Sequence, residues 1–391
     1  MVKQKNAVYP LSADPIHNGH LQNIAVAVNS GLFDKVTVAV GNNPAKKYLF
    51  NLNERLSLVE RAVYSAGFDG SRVEVLPFSG LLRNYALVNG MDFIIRGSRN
   101  SKDFEYEQTL SDFNSEYGLE TFILPASVEN RTLSSSVVKA IVTEGGLVNK
   151  YVHPAVKQAL EERIQGLSLL GVTGNMGAGK TTFCQRLVEY AQVGGSLQVS
   201  HIDFDKLVHS LYFGDSQLSL QVRQQIERSF GADVFDSSGL NRKKLAGIVF
   251  GNNEKKEELS RIIMTPSIIK FEEELRKRKG IVLVDAAYLT EYNMLPLVNY
   301  NVILVGCNEE ERFRRVLERD KMTRTEVEAK TKAQHPQELK RKIMKEAQEK
   351  QGHGFFLEVD SNTEMNLGQI LGNIQASFPL FKSGARTNAI A

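Results

Sequence analysis

Several features that mark specialised classes of protein are scarce in this sequence. Only two cysteines occur, Cys184 and Cys307, both in apolar stretches, which excludes a disulfide scaffold and predicts two reduced core thiols. No cluster of Cys and His has metal-ligand spacing. No apolar run approaches the ~20 residues that span a bilayer, and the N-terminus has no apolar signal region. The net charge of +3 does not argue for a nucleic-acid partner. We expect a soluble, cytoplasmic protein without membrane or nucleic-acid partners.

The sequence does contain a repeated alternation of strand-like and helix-like segments. A length of 391 residues suits two domains, and the alternation runs twice along it. Strands are predicted at residues 7–12, 35–40, 72–76, 93–96 and 121–124, and again at 168–173, 200–203, 281–285 and 302–305. Long charged helices are predicted between the later strands, for example at 268–279. Because this order is typical of parallel sheets covered by helices, we predict two α/β domains, at 1–164 and 168–380.

A turn with two histidines follows the first predicted strand. Residues 14–20 read Asp-Pro-Ile-His-Asn-Gly-His, which places His17 and His20 three residues apart where a helix begins. Imidazoles at this spacing face the same way, a helix N-terminus favours an anion, and Gly19 permits close approach of a triphosphate. Such a turn can bind ATP phosphates and stabilise charge on an α-phosphoryl group. The alternative is a surface turn whose histidines have no role.

Further motifs accompany this turn within residues 8–160. They are Asn-Pro-Ala-Lys-Lys at 43–47, Asn-Glu-Arg at 53–55, Ile-Arg-Gly-Ser-Arg at 95–99, Asp-Phe-Glu-Tyr-Glu at 103–107 and Leu-Ser-Ser-Ser at 133–136. In order and spacing they resemble bacterial phosphopantetheine adenylyltransferase. The resemblance implies a Rossmann-like nucleotidyltransferase domain with a parallel sheet, able to form a homo-oligomer. The family usually has Gly-Thr-Phe where this chain has Leu11-Ser12-Ala13, so Ser12 keeps a hydroxyl and Leu11 replaces a glycine.

The same resemblance implies roles for individual residues. His20, Lys46 and Arg96 are the predicted catalytic residues, with His20 as transition-state stabiliser. Ser12, Lys46 and Arg96 would also hold the phosphate of 4′-phosphopantetheine, and Leu82 would contact the pantetheine arm. The implied ATP contacts are Ser12, His17, His20, Gly97, Ser98, Arg99, Glu107, Asn130, Ser134, Ser135 and Ser136. The alternative for Arg96 and Arg99 is a solvated basic strand end.

The second half begins with a glycine-rich loop between a predicted strand and a predicted helix. Residues 174–181 fit the pattern Gly-x-x-x-x-Gly-Lys-Thr, in which consecutive backbone N–H groups surround a phosphate. Lys180 would reach the β- and γ-phosphates, and Thr181 would offer a hydroxyl to the Mg²⁺ that accompanies ATP. The predicted ATP contacts are Gly174, Asn175, Met176, Gly177, Ala178, Gly179, Lys180, Thr181 and Thr182.

Fewer motifs indicate which residues of this half bind the substrate that accepts the phosphoryl group. Residues 201–205, His-Ile-Asp-Phe-Asp, end a predicted strand and lead into a helix, and a carboxylate there could accept a proton from an acceptor hydroxyl. Arg315 and Arg319 lie on a charged helix. The segment 321–345, rich in Lys, Arg and Glu, is interpreted as a mobile lid or, equally well on composition, as a solvated pair of charged helices.

Residues 168–378 resemble dephospho-coenzyme A kinase. The resemblance depends on the glycine-rich loop, Asp-x-Asp at 203–205, Ile-Val-Leu-Val-Asp-Ala-Ala-Tyr-Leu-Thr-Glu at 281–291, Arg-Asp at 319–320, Ala-Gln at 333–334 and Val-Asp-Ser-Asn at 359–362. It implies a P-loop kinase α/β domain with a lid. Asp205 would be the base, Asp203 would bind metal through water, and Arg315 and Arg319 would hold phosphates. The family's His-Pro reads Thr265-Pro266 here, and its Pro-Leu-Leu reads Ala287-Tyr288-Leu289.

The two resemblances imply consecutive reactions, from 4′-phosphopantetheine through dephospho-coenzyme A to coenzyme A, each with ATP as donor. Two alternatives stay open. One is a nucleotidyltransferase for another phosphorylated acceptor, joined to a nucleotide kinase. The other is an active adenylyltransferase whose second half binds nucleotide as a regulatory module without turnover, an idea that Thr265 and Ala287 motivate.

Overall fold

A computed structural model of the chain describes residues 4–43, 45–194, 197–236, 239–249, 252–320, 327–328 and 331–378. The chain divides into two compact units. The first comprises the chain up to Ile164 together with Glu346–Gly354, and the second comprises the remainder. None of the helices in the described ranges combines the length and apolarity needed to cross a membrane.

The first unit is built around a five-stranded, wholly parallel sheet. Its strands are β1 Asn6–Leu11, β2 Lys35–Gly41, β3 Val73–Phe78, β4 Phe93–Ser98 and β5 Glu120–Pro125. They lie in the order β3-β2-β1-β4-β5, which confirms the predicted α/β fold. The strands β2 and β3 are added on one side of β1, and β4 and β5 are added on the other side, so the winding of the chain switches at β1. Open parallel sheets bind ligands at the carboxyl ends of the strands beside such a switch point.

Among the described residues of this unit, six α-helices flank the sheet. They are α1 Asn18–Asn29, α2 Leu52–Ser65, α3 Leu82–Val88, α4 Ser101–Ser115, α5 Ser135–Thr143 and α6 Pro154–Leu160, followed by a π-helical turn at Glu161–Gln165. The apolar stripe of α1, with Ile24 and Val28, packs on inward-facing strand residues such as Val38 and Ile95. The side chain of Asn51 accepts from Glu54 N at the start of α2 and so caps that helix.

The second unit contains another five-stranded parallel sheet. Its five strands are β6 Leu167–Thr173, β7 Val199–Asp203, β10 Gly280–Asp285, β11 Val302–Gly306 and β12 Phe356–Asp360, and the unit also contains β8 Phe235–Asp236 and β9 Gly239–Leu240. The sheet has the order β12-β11-β6-β10-β7, while β8 and β9 form a separate antiparallel pair. Every residue of β6, β10 and β11 is buried, as expected for strands covered on both faces.

The helices from residue 180 onward complete the fold. They are α7 Lys180–Gly194, α8 Phe204–Phe213, α9 Gln217–Phe230, α10 Arg242–Val249, α11 Asn253–Arg276, α12 Glu309–Asp320, α13 Gln337–Gln351 and α14 Leu367–Ser377, with 3₁₀ turns at Ala232–Val234 and Leu295–Val298. Side chains of α8 to α11 form an apolar cluster of their own, which includes Leu211, Ile226 and Leu245.

Two predicted segments differ from the structure or fall partly outside it. The helix predicted at 268–279 begins much earlier, at Asn253, and runs through Pro266. The capping bond from Asn252 to Lys255 N and burial of Phe271 and Leu275 support the longer helix. Of the predicted lid at 321–345, residues 321–326 and 329–330 lie outside the described residues, and α13 begins within the remainder.

Candidate active sites

A cavity of about 640 Å³ opens in the first unit at the carboxyl ends of β1, β2 and β4. The predicted residues that line it are Ser12, His17, His20, Lys46, Arg96, Gly97, Ser98, Arg99, Glu107, Asn130, Ser134, Ser135 and Ser136. Leu82 is not among the described residues that line this cavity; it packs against the same buried apolar cluster as Phe78, which does line it. A Cβ at Gly97 would lie 2.2 Å from Asn23 Nδ2, so any larger residue here would have to displace the Asn23 side chain, which donates to the Tyr9 hydroxyl.

The two histidines stand side by side where α1 begins. Their rings stack with centroids 3.8 Å apart, because one precedes the helix and the other is in its first turn. The backbone N–H of His17 donates to Nδ1 of His20 over 3.2 Å. Since Nδ1 accepts, the proton of a neutral His20 is on Nε2. The ring therefore presents a hydrogen-bond donor at the end of the helix that favours anions.

Both imidazoles are neutral near pH 7. Desolvation, with a smaller effect of the Arg99 charge, lowers the pKa of His17 to about 4. Desolvation, then His17 and Arg99, lower the pKa of His20 well below its usual value. Nδ1 of His17 is buried and has no hydrogen-bond partner among the described residues. A buried polar atom of this kind is costly, and a ligand phosphate hydroxyl or water could satisfy it.

Two arginines that line the cavity, Arg96 and Arg99, are each paired with an acidic side chain of α4. Arg96 makes a bidentate contact with Glu107, Nε to Oε2 at 2.5 Å and Nη2 to Oε1 at 2.6 Å. Arg99 Nε lies 3.0 Å from Asp103 Oδ2, and Lys46 is exposed. Bidentate pairing fixes the plane of the Arg96 guanidinium. The guanidinium of Arg96 is therefore oriented by α4, whereas Arg99, although paired with α4, is exposed.

Serines at the start of α5 and an asparagine before it close the cavity. Ser134 caps α5 by accepting from Val137 N, and the Ser135 hydroxyl donates to Pro15 O over 2.8 Å. Asn130 donates to Gln22 Oε1 over 2.9 Å. These bonds tie the serine segment to the histidine turn and to α1.

Two charged residues that sequence reasoning did not select organise the cavity wall. Arg55 is 1% exposed, and its guanidinium donates to the backbone oxygens of Ser12, Gly41 and Phe50 and to the side chain of Asn42. Asp14 is buried and accepts from Leu49 N, Phe50 N and Lys139 Nζ. Together they fix the turn after β1, in which Ala13 has φ +50°. In the sequence, the feature that pointed to Arg55 and Asp14 was their position inside motifs that had already been recognised.

A second site lies at the glycine-rich loop of the second unit. Lys180 begins α7, is 9% exposed, and its Nζ donates to Gly174 O over 3.0 Å and Asn175 O over 3.2 Å. Gly174 has φ +150°, and a Cβ there would lie 2.1 Å from Val305 O, so this position requires glycine. Residues 174–182 thus form a compact loop and first helical turn with the lysine folded over it.

The donors near this loop suit a magnesium ion. The Thr181 hydroxyl donates to Asp285 Oδ2 over 2.6 Å, and Asp285 is 3% exposed at the end of β10. A hydroxyl and a carboxylate are the hard oxygen ligands that Mg²⁺ prefers. Asp285 was not selected from the sequence, although an aspartate at the end of a buried apolar strand can indicate a functional residue. Asp203 instead caps α8, accepting from Lys206 N over 2.9 Å, and its role with metal stays a prediction.

Asp205 lies in the first turn of α8, and its Oδ2 accepts from Ala287 N over 3.3 Å. The residue is exposed as a whole, yet desolvation of its carboxylate, assisted by the charges of Asp285 and Asp203 and opposed by Lys180, raises its pKa to about 6. A carboxylate with a raised pKa near neutrality is suited to general-base work.

Side chains of α12 and its surroundings reach the loop. Arg315 donates to Ser361 Oγ over 2.9 Å and lies beside Gly179. Arg312, which was not predicted as a site residue, is buried against Met176 O, and Gln334 accepts from Met176 N over 2.8 Å. The side chain of Arg319 lies outside the described residues.

An apolar cavity of about 560 Å³ is formed by α8, α10, α11 and the segment after β10. Its aromatic walls include Phe204, Tyr212, Tyr288 and Tyr292. Phe204 and Tyr288 are sequence neighbours of Asp205 and Ala287. Beside this segment, Lys340 and Glu291 form a buried ion pair of 2.6 Å, and Lys340 also donates to Ala287 O over 2.9 Å, which fixes the backbone that contacts Asp205.

Comparisons with known proteins give separate matches for the two units. Residues 168–350 match the family described as dephospho-CoA kinase, and residues 8–141 match the cytidylyltransferase-like family. Phosphopantetheine adenylyltransferase of Haemophilus ducreyi is 44% identical over 158 residues, which is 40% of this chain and 94% of that protein. The corresponding enzyme of Pseudarthrobacter chlorophenolicus is 43% identical over 157 residues, 40% of this chain and 92% of that protein. The crystal structure of TT1252 from Thermus thermophilus matches with a TM-score of 0.42 and 25% identity, covering 54% of this chain and 96% of its own.

Proposed function

Because the chain belongs, through its first unit, to the phosphopantetheine adenylyltransferase family and matches the dephospho-CoA kinase family over residues 168–350, we propose that it catalyses two consecutive reactions. The first transfers the adenylyl group of ATP to 4′-phosphopantetheine and releases pyrophosphate. The second transfers the γ-phosphoryl group of another ATP to the 3′-hydroxyl of the resulting dephospho-coenzyme A. The product is coenzyme A.

The observation that supports the first reaction best is the stacked, neutral histidine pair at the start of α1. In the proposed step a phosphate oxygen of 4′-phosphopantetheine attacks the α-phosphorus of ATP, and the bond to pyrophosphate breaks. His20 Nε2–H would donate to an oxygen of the α-phosphoryl group, where charge develops. Lys46 and Arg96 would neutralise the acceptor phosphate, and Ser134 to Ser136 would contact the ATP triphosphate. No covalent enzyme intermediate is needed.

The second reaction is supported by the combination of the glycine-rich loop with Asp205. Lys180 would leave the loop carbonyls for the β- and γ-phosphates of ATP, and Asp205 would accept the proton of the 3′-hydroxyl as it attacks the γ-phosphorus. Mg²⁺, when bound, would be held by Thr181 and Asp285 and would supply positive charge to the phosphate oxygens. The apolar cavity beside Phe204 and Tyr288 offers space for the pantetheine arm of the acceptor.

The full chain incubated with 4′-phosphopantetheine, ATP and Mg²⁺, with products identified by mass, tests this proposal. We expect dephospho-coenzyme A first and coenzyme A later. Failure to adenylylate 4′-phosphopantetheine while another phosphorylated acceptor reacts would favour a different nucleotidyltransferase. Accumulation of dephospho-coenzyme A, together with ATP binding by the second unit, would favour a regulatory module without turnover.

The raised pKa of Asp205 predicts a pH dependence for the second reaction alone. A base must be deprotonated to act, so kcat/KM for phosphorylation of dephospho-coenzyme A should fall as pH drops through about 6, approaching about tenfold per pH unit. In adenylyl transfer by the same protein neither histidine should contribute an inflection, since burial keeps both neutral in that range, and the acceptor phosphate, with a second pKa of about 6, should contribute its own titration. Asp205→Asn should therefore leave the pH profile of adenylyl transfer unchanged.

The matched variants are Asp205→Asn and Asp203→Asn, which remove one charge each without changing shape. Asp205→Asn should abolish turnover while ATP binding persists, whereas Asp203→Asn should be milder. The reverse ranking would show that the roles of the two carboxylates are exchanged.

A further inference from the structure

Three side chains of different chemistry meet at the face of the second sheet that α7 covers. His201 lies opposite Leu283 in the pairing of β7 with β10, and Asp285 is two residues further along β10. Because side chains alternate between the two faces of a strand, His201 and Asp285 are on the same face. Leu283 packs in one apolar cluster with Cys184 of α7, so the helix brings its thiol to that face.

The donor atoms of these residues are close enough to share one ion. A donor atom from each of Cys184, His201 and Asp285 lies within 4.8 Å of the other two, and His201 Nε2 is 3.7 Å from Asp285 Oδ2. That distance is too long for a hydrogen bond, and His201 Nε2 is buried with no hydrogen-bond partner in the described part of the chain. Cys184 is a free thiol and 0% exposed.

We propose that Cys184, His201 and Asp285 bind a single Zn²⁺ or a chemically similar divalent ion. Thiolate and imidazole are preferred ligands of Zn²⁺, whereas Mg²⁺ selects oxygen. Donors around tetrahedral Zn²⁺ are about 3.5 Å apart. The 3.7 Å between His201 Nε2 and Asp285 Oδ2 is already close to this distance, and the other separations, at most 4.8 Å, must shorten by at most about 1.3 Å. Binding replaces the thiol proton of Cys184, which is released to solvent, and changes no oxidation state. Water completes the coordination.

Such a site would affect the glycine-rich loop, because it shares an atom with it. Asp285 Oδ2, the oxygen nearest His201, is the one that accepts from Thr181. An ion that binds this oxygen withdraws it from the pair proposed to hold Mg²⁺. Zn²⁺ should therefore inhibit phosphorylation and spare adenylyl transfer, whose proposed residues belong to the first unit. This consequence rests on the proposed kinase function, whereas the binding site itself does not.

Binding is tested first, on the metal-stripped full chain without nucleotide. Titration with Co²⁺ should produce the near-ultraviolet charge-transfer absorption of a thiolate ligand, with one ion bound per chain, and Zn²⁺ should displace it. Cys184→Ser and His201→Gln should each weaken binding by about 100-fold or more, since even indirect partners of metal ligands contribute 10–100-fold. Cys307→Ser removes the other cysteine and should bind normally.

Folding of each variant is checked by a cooperative thermal melting transition, whose midpoint can be lower for a serine at the buried Cys184 position, and by its adenylyl transfer rate, which should equal that of the unchanged protein. If Cys184→Ser misfolds, Cys184→Ala and His201→Gln provide the same test. An unchanged Co²⁺ spectrum in a folded Cys184→Ser or His201→Gln variant, or no thiolate absorption in the unchanged protein, would overturn the proposal.

The functional consequence is measured at free Zn²⁺ concentrations set by a metal buffer, with Mg²⁺ in excess. Phosphorylation of dephospho-coenzyme A should fall to background as the site fills, adenylyl transfer should continue, and Cys184→Ser should resist inhibition. Zn²⁺ binding in a chain that phosphorylates nothing would support the site while refuting the kinase assignment. Equal inhibition of both reactions, or of Cys184→Ser, would refute the proposed link between the site and Thr181.

Discussion

Replacement of His20 by alanine is expected to slow adenylyl transfer to 4′-phosphopantetheine by about 10²–10³-fold or more, the cost of losing one preorganised donor to a developing charge. The expected loss follows from the tautomer of His20. The backbone N–H of His17 donates to His20 Nδ1, so the proton of the neutral ring is on Nε2 and can be donated to the phosphoryl oxygen. Initial rates of pyrophosphate release measure the effect. The loss should appear in kcat, since the donor acts on the transition state more than on bound ATP.

The second unit provides the control for this variant. Phosphorylation of supplied dephospho-coenzyme A by His20→Ala should match that of the unchanged protein, which excludes global misfolding. His209→Ala, at an exposed histidine on α8, should alter neither reaction. Pyrophosphate release at the normal rate from His20→Ala would remove His20 from the mechanism.

Replacement of Lys180 by alanine should abolish phosphorylation of dephospho-coenzyme A, because this ammonium is the charge available to the β- and γ-phosphates at the loop. In the structure its Nζ donates to Gly174 O and Asn175 O, so it is already positioned over the loop. The same variant should convert 4′-phosphopantetheine to dephospho-coenzyme A at a normal rate. That intermediate should then accumulate, which mass analysis of the complete reaction would detect.

Together the two variants test whether the reactions are chemically independent. Each unit has its own phosphate-binding turn, residues 16–20 in one and 174–181 in the other, so each variant should lose one reaction only. Lys277→Ala removes the same charge from an exposed position paired with Glu274 and should lose neither. Loss of both reactions in a single well-folded variant would show that one site depends on the other.

The sequence by itself determined the parts of this protein that are local in the chain. Both parallel sheets follow from short apolar runs separated by helical segments, apart from β12, which was not predicted. Both phosphate-binding turns are contiguous motifs between a strand and a helix. In such turns the backbone and the first helical turn place the functional groups, so His17, His20 and Lys180 could be selected without knowing what packs around them. The predicted residues of the first unit accordingly line one cavity, apart from Leu82.

Only the tertiary structure decided which distant residues support these turns. A lone arginine on a helix is expected in solvent, yet Arg55 is buried, because it donates to the backbone carbonyls of Ser12, just after β1, and Gly41, the last residue of β2. Asp285 meets Thr181, and Cys184 meets His201, because strand register and helix placement bring together segments far apart in sequence. The sequence pattern predicted no metal-ligand cluster containing Cys and His, whereas the fold brings donor atoms of Cys184, His201 and Asp285 within 4.8 Å of one another. The spacing of residues along the chain identifies a set of metal ligands only when all of the ligands come from one short segment. In a parallel sheet the strands are joined by long crossovers, so ligands on neighbouring strands are far apart in sequence and come together only in the folded protein.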